Sequence, residues 1–393
     1  MIKNTHERFH MSAWTHYLNA SRSGKVNWYH WLGGFWLIFV GWLLAQLVLT
    51  APITPLIEQT DPELSNQLNA ATIALLESMD PAKLALFSLS FFLSGLLATG
   101  FWVAASKSQS NKRASTFGLV ALFFTFVAIL SAYRLGPVLS DTESTGLMTQ
   151  AMGLNPLIYI SFLIVFPGTL VIVFLIQKFW HKRTITSLHT AYDRYNWRRT
   201  FFAIGVFWII AALITTIGHL SGLSPIKATF DPSRFFVFAL ASLLFIPLQS
   251  ATEEIIVRGY MNQGLGQYIN SPWIVFIITS LFFMALHLSN PESTSSAQKG
   301  TLMHILTMSS YFSFGFLLCV LVYFEGGLET AIGVHVANNL FAAIFVNYEG
   351  SVLPTPSMFI ASQNPQYDLP IGIAMLALVT FILVRTRPPA AKA

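Results

Sequence analysis

Long apolar runs separated by short polar connections fill the chain. About ten of these runs approach the ~20 residues that a bilayer core requires. They fall near 32–51, 84–105, 117–133, 156–177, 200–219, 235–257, 272–289, 302–323, 328–346 and 369–384. The runs are continuously apolar, which does not fit the alternating strands of a closed barrel. Helices satisfy their own backbone groups in lipid. The expectation is therefore an all-α, polytopic membrane bundle of about ten transmembrane helices. Within the polar connection 52–83, residues 68–77 read as a short surface helix. A polar, basic stretch at 178–199, bearing Trp and Tyr, divides the chain. Residues 1–199 form an N-terminal membrane region of about four spans with no assigned role. Residues 200–393 form a second membrane core that holds nearly all the intramembrane polar chemistry. There is no sequence repeat and no extended low-complexity segment.

Composition agrees with the pattern. Hydrophobic residues make up 54% of the chain and charged residues 10%, against about 25% charged in soluble domains. Charge placement then orients the spans. Basic residues cluster in alternate connections: Lys3, Arg8, Arg22 and Lys25; Lys107, Lys112 and Arg113; Lys178, Lys182, Arg183, Arg194, Arg198 and Arg199; Arg385, Arg387 and Lys392. The connection after the first span is acidic instead, with Glu58, Asp61, Glu63, Glu77 and Asp80 against Lys83. By the positive-inside rule both termini are expected in the cytoplasm. The net charge of +5 is then a topology and lipid-headgroup signal, not a nucleic-acid footprint. The plasma membrane is the expected location, or the endoplasmic reticulum in a eukaryote. A polar arm precedes the first span, and that run is too long for the core of a cleavable signal peptide. A single cysteine, Cys319, excludes a disulfide within the chain.

The candidate chemistry begins where a span ends in Glu253-Glu254-Ile-Ile-Val-Arg258. An ionised group near a helix centre costs roughly 2.5–3.5 kcal/mol in a membrane, so such groups face protein and are used. Glu254 and Arg258 are four apart and share a helix face. Glu253 is turned about 100° from Glu254. Arg258 is expected to neutralise Glu254, leaving Glu253 facing a cavity, as a general base would. A buried ion pair that merely fixes packing is the plainer alternative. His335 and Asn339 are also four apart and offer two donors for an oxyanion hole, with Asn338 as a fallback. A histidine and an asparagine holding two membrane helices together would leave the same trace. His287 alone reads as an interfacial histidine, and Phe283, one turn earlier, as a packing residue.

Taken together, the three segments resemble a known family, the CAAX-processing and bacteriocin-processing (CPBP, or Abi) intramembrane proteases. The family pattern is Glu-Glu-x-x-x-Arg, then Phe-x-x-x-His, then His-x-x-x-Asn or Asp. Here it reads Glu253-Glu254-Ile-Ile-Val-Arg258, Phe283-Met-Ala-Leu-His287 and His335-Val-Ala-Asn-Asn339, and Gly259-Tyr260 also fits. The match covers about 235–346. It implies an intramembrane endopeptidase acting on a membrane-associated protein or peptide. In that reading Glu253 and His287 activate a water, His335 and Asn339 stabilise the oxyanion, and Glu254 and Arg258 give support. No cofactor is expected. The alternative is a zinc enzyme with Glu253, His287 and His335 as ligands and water in the fourth position. An aspartyl dyad has no material in the spans, and no Gly-x-Ser-Gly nucleophile segment is present. A non-catalytic scaffold of the same fold is a further alternative. A proton-coupled carrier is another, but it would be expected to show an internal repeat.

Helix rise makes one demand. His287 lies about 16 residues into its span, roughly 24 Å at 1.5 Å per residue, on the far side from Glu253. The groups meet only if the Glu253 helix runs on past Arg258, or if the His287 span starts late or tilts. The cavity is expected to open toward the cytoplasm.

Overall fold

The computed structural model describes residues 13–77, 80–139, 142–362 and 365–387. Lys3, Arg8 and Lys392 lie outside them. Helices dominate: α1 (Ala13–Ala20), α2 (Trp28–Thr50), α3 (Thr54–Thr60), α4 (Pro62–Glu77), α5 (Pro81–Lys107), α6 (Asn111–Leu139), α7 (Thr142–Leu154), α8 (Pro156–Leu175) and α9 (Thr186–His189) form the first half. The second half holds α10 (Trp197–Leu220), α11 (Pro232–Glu254), α12 (Asn262–Leu265), α13 (Pro272–Leu286), α14 (Pro291–Gln298), α15 (Thr301–Glu325), α16 (Glu329–Leu340) and α17 (Pro365–Arg385). Three wide π-helical turns extend α8, α11 and α16, at Ile176–Trp180, Ile255–Met261 and Phe341–Phe345.

Helix starts follow local chemistry. Asp80, Asn155 and Asp231 each precede a proline, and each side chain accepts a backbone N–H of the first turn. Proline at the first helical position gives up only a donor that the helix leaves unused.

Among the described residues, eight helices are long and apolar enough to cross a membrane, or nine if the bent pair α13 and α14 counts as one span. The expected ten are reduced at two places. The run 272–289 does not continue straight. α13 stops at Leu286, and the chain turns 82° into α14, because Pro291 holds Asn290 extended and opens a new helix. The run 328–346 is not a lipid-facing span. α16 has 12 residues, buried from Glu329 through Ala337, and packs against α10, α11 and α15. It is apolar because protein surrounds it.

The bundle has two distinct ends. At one, the basic connections form a bonded layer. The Lys25 N–H donates to the His181 carbonyl at 2.8 Å, Ala191 to Gly326 at 2.9 Å, and Leu328 to His189 at 2.7 Å. Arg199 pairs with Glu325 at 2.6 Å and also reaches the Leu383 carbonyl, so the C-terminal end of α17 lies in the same layer. At the other end is a small sheet that the apolar pattern did not predict. β1 (Ile226–Ala228) pairs antiparallel with β3 (Phe359–Ala361), which pairs parallel with β2 (Val346–Tyr348). It ties the connections before α11, after α16 and before α17 together.

His181 belongs to the basic layer, just past the end of its span. Its Nδ1–H donates to the Lys25 carbonyl at 2.8 Å, and Nε2 lies 2.7 Å from the Tyr260 hydroxyl. Burial pushes its pKa down to about 3, against the pull of the Lys25 bond. The unfolded chain, with His near 6.5, then binds more protons than the folded chain between these values. Stability should be full above pH 6.5 and fall progressively as pH drops toward 3. Thermal unfolding in detergent from pH 7 to pH 4 should show this decline, with a flatter pH dependence for His181→Gln.

Candidate active site

α11 supplies the first group of residues. Through its π-helical turn and α12 it runs as one helix from Pro232 to Leu265, which is the extension past Arg258 that helix rise demanded. Wide turns of this kind recur at functional sites. Here the turn begins directly after Glu254. The Arg258 Nη1 donates to Glu254 Oε1 at 2.9 Å, with both side chains fully buried. The guanidinium also sits 4.4 Å from the centre of the Phe283 ring. Gly315 leaves room for it, since a Cβ there would stand 3.1 Å from Arg258 Nη2.

α16 brings the second group. His335 Nδ1 lies 2.7 Å from the same Glu254 Oε1. A carboxylate oxygen accepts, so Nδ1 carries a proton and Nε2 is the nitrogen turned to the cavity. Nε2 stands 3.7 Å from Glu253 Oε2. The Glu253 side chain is 19% exposed, whereas Glu254 is at 0%. Two adjacent carboxylates thus have opposite surroundings, as their 100° offset implied.

α13 ends at the third group. His287 Nδ1 donates to the Phe283 carbonyl at 2.7 Å, so neutral His287 presents Nε2 as an acceptor. Its ring stacks on Tyr311 with centroids 4.4 Å apart. Glu253 is close enough to interact electrostatically with it. Phe283 therefore does more than pack. Its ring supports Arg258, and its carbonyl fixes His287.

Asn339 does not stand beside His335 as a free donor. Its amide donates to Gln249 Oε1 at 3.0 Å and to Ser250 Oγ at 3.3 Å. Gln249 Nε2 in turn donates to Glu253 Oε1, and Asn338 donates to Asn339 Oδ1 at 3.0 Å. The shared helix face of His335 and Asn339 is real, but their hydrogen bonds run to different partners on α11. Gln249 was missed in the sequence, although a polar residue one turn before Glu253 in an apolar run was a readable signal. Glu292 and Tyr348 gave no local signal. Tyr348 donates to Glu292 Oε1 at 2.7 Å across 56 positions of chain.

Glu253, His287, His335, Asn339 and Gln249 all line one cavity of about 1250 Å³. Its other walls include Ser224, Glu292, Tyr348, Ser362 and Asp368. These lie at the sheet end of the bundle, not in the basic layer. From the sequence the cavity is expected to open toward the cytoplasm; among its lining residues none comes from the connections 178–196, 259–271 or 326–328. Hydropathy placed the motifs in depth but could not say which connections enclose them.

An apolar helical bundle with this site defines an integral membrane protein carrying a CAAX-protease-like core. Residues 232–341 match the family model described as type II CAAX prenyl endopeptidase Rce1-like, and the resemblance carried by the three motifs holds over this segment. The chain is also 28% identical over 273 residues to "Uncharacterized protein YyaK" of Bacillus subtilis (strain 168), covering 64% of this chain and 87% of that protein. No solved structure matches.

The buried Glu254–Arg258 pair should be indispensable to folding. Arg258→Leu leaves a buried carboxylate without its cation and should cost about 3–5 kcal/mol. Glu254→Gln combined with Arg258→Leu should recover part of that loss. Unfolding of both variants in detergent measures the coupling.

Proposed function

We propose that the protein is an intramembrane endopeptidase that hydrolyses a peptide bond with a water activated by Glu253 and His287. The observation that carries this reading is the state of Glu253. Its Oε2 is buried and has no hydrogen-bond partner, and it faces a cavity shared with two imidazoles. An unpartnered buried carboxylate oxygen is costly. A water donating to it, and also to His287 Nε2, would satisfy both acceptors. That water is the nucleophile. Glu253 takes its proton as it attacks the carbonyl carbon, then returns the proton to the leaving amine.

In this scheme His335 stabilises the oxyanion. With Nδ1–H fixed on Glu254, His335 serves the oxyanion only as the imidazolium, whose Nε2–H would point into the cavity. Asn339 acts through Gln249, which holds Glu253 Oε1. Arg258 and Glu254 hold the frame.

We read the reaction as cofactor-free. Glu253 activates the water in this reading, and the alternative is a zinc site on Glu253, His287 and His335. The substrate is a membrane-associated protein or peptide. Both described ends of the chain lie in the basic layer, which supports a cytoplasmic placement of the termini, in a plasma membrane.

Glu253→Gln keeps the shape and removes the base. It should lower cleavage of a fluorogenic membrane peptide by about 10²–10⁴-fold, while the protein purifies as a folded monodisperse species. His287→Ala should do the same. Unchanged turnover in Glu253→Gln rejects the mechanism. After metal-free purification, activity should survive 1,10-phenanthroline. Loss on chelation with recovery on added zinc would select the metal reading instead.

A further inference from the structure

We propose that the active-site cavity is entered from the membrane face opposite the basic connections, so that its substrate is an exported polypeptide segment on the non-cytoplasmic side. The inference rests on the proteolytic reading for what happens at Glu253. The route of access stands on separate observations.

The first is charge. Connection 107–113 joins the basic layer through Lys25, whose Nζ donates to the Ser106 carbonyl at 3.1 Å. That layer therefore collects Lys107, Lys112, Arg113, Lys178, Lys182, Arg194 and Arg198, together with Arg385 and Arg387 at the end of α17. The opposite end carries Glu58, Asp61, Glu63, Glu77 and Asp80 beside the first span, and Asp231, Glu349 and Asp368 around the sheet, against the fewer basic residues Lys83, Lys227, Arg234 and Lys299. The K/R bias in short connections sets orientation in a membrane, and here it points one way.

The second is the wall of the cavity. Ser224, Lys299, Ser362 and Asp368 line it at the acidic end, and Lys299 and Ser362 are exposed to solvent. No residue of the connections 178–196, 259–271 or 326–328 lines it. Polar side chains such as Asn347, Glu292 and Tyr311 line the same cavity as Glu253. Glu292 Oε2 is buried there without a hydrogen-bond partner, an open acceptor for a peptide N–H.

The third is the seal at the basic end. Tyr17 is fully buried, and its hydroxyl donates to the Leu188 carbonyl at 3.0 Å and lies 3.3 Å from the Arg258 carbonyl. The Tyr260 hydroxyl sits between His181 Nε2 and the Trp31 carbonyl, 3.0 Å from the latter. Gln263 bonds Arg183 and the Ser187 carbonyl. These buried groups fill the space under Arg258, and no peptide passes them without unfolding the layer.

Thiol labelling tests the access face without reference to activity. Cys319 is buried and serves as the silent background, with Cys319→Ala as a second parent. Ser362→Cys and Arg194→Cys are each treated with a membrane-impermeant maleimide in spheroplasts. The proposal expects Ser362→Cys to label in intact spheroplasts and Arg194→Cys only after permeabilisation. The reverse pattern, or equal labelling of both before permeabilisation, overturns it. Sided vesicles then tie access to chemistry, with Glu253→Gln as the inactive control. A soluble quenched peptide should be cleaved by right-side-out vesicles and not by inside-out ones. Cleavage by inside-out vesicles alone overturns the entry face and leaves proteolysis standing. Cleavage by neither removes the proteolytic reading, while the labelling still decides the entry face.

Discussion

One oxygen atom organises the site. Glu254 Oε1 accepts from Arg258 Nη1 on its own helix and from His335 Nδ1 on another. A lone carboxylate in an apolar bundle is prohibitive, and a lone guanidinium nearly as costly. Each therefore fixes the position of the other, and the imidazole completes the set. The arrangement locks α11 to α16. Through the Phe283 ring against Arg258 and the Phe283 carbonyl against His287, it also locks the end of α13. Three helices far apart in sequence are thereby held in one register by a single buried charge.

That neutralisation leaves Glu253 free. A second carboxylate one position away cannot reach the same guanidinium, because the helix turns it to another face. It is held instead through one oxygen by the neutral amide of Gln249, which Asn339 and Ser250 orient in turn. A neutral donor positions the group without quenching its charge. The contrast between the two glutamates is thus a contrast of partners: a cation for the one that holds the frame, an amide for the one that faces the cavity.

Much of this was legible in the sequence, for definable reasons. Span positions followed from apolar length, while the Asp-Pro and Asn-Pro pairs at 80–81, 155–156 and 231–232 mark three helix starts that the apolar pattern left unread. The Glu254–Arg258 pairing followed from i,i+4 spacing alone. Hydropathy failed where it could not tell lipid from protein as the apolar neighbour. α16 looked like a span because its surroundings are buried side chains. α13 looked continuous because one proline weighs little in an average. Three-residue strands leave no periodic trace, and the Glu292–Tyr348 bond joins positions that no local pattern connects. Gln249 could be noticed as a polar residue in an apolar run, but its pairing with Asn339 could not, since spacing shows a shared face and not where its donors go.

The N-terminal region inherits no motif, yet it is part of the same cavity. α2 contributes Phe35, Trp36, Phe39 and Trp42 to the wall, α5 adds Trp102, and α8 adds Phe162 and Phe166. Trp36 and Trp102 are held by Nε1–H bonds to Thr99 and Thr125 at 2.9 and 3.1 Å, so these rings are fixed in place. The matched share of the Bacillus relative, 64% of this chain, also exceeds the 194 residues of 200–393, so the likeness must reach into the N-terminal region. A water-activating carboxylate gains most where the surrounding dielectric is low and the dipoles are fixed. On the proposed reading a catalytic carboxylate inside a membrane needs such a surround together with polar groups beside it; in this chain the aromatic wall comes from the first half of the sequence, and the polar lining residues Asn347, Glu292 and Tyr311 come from the second.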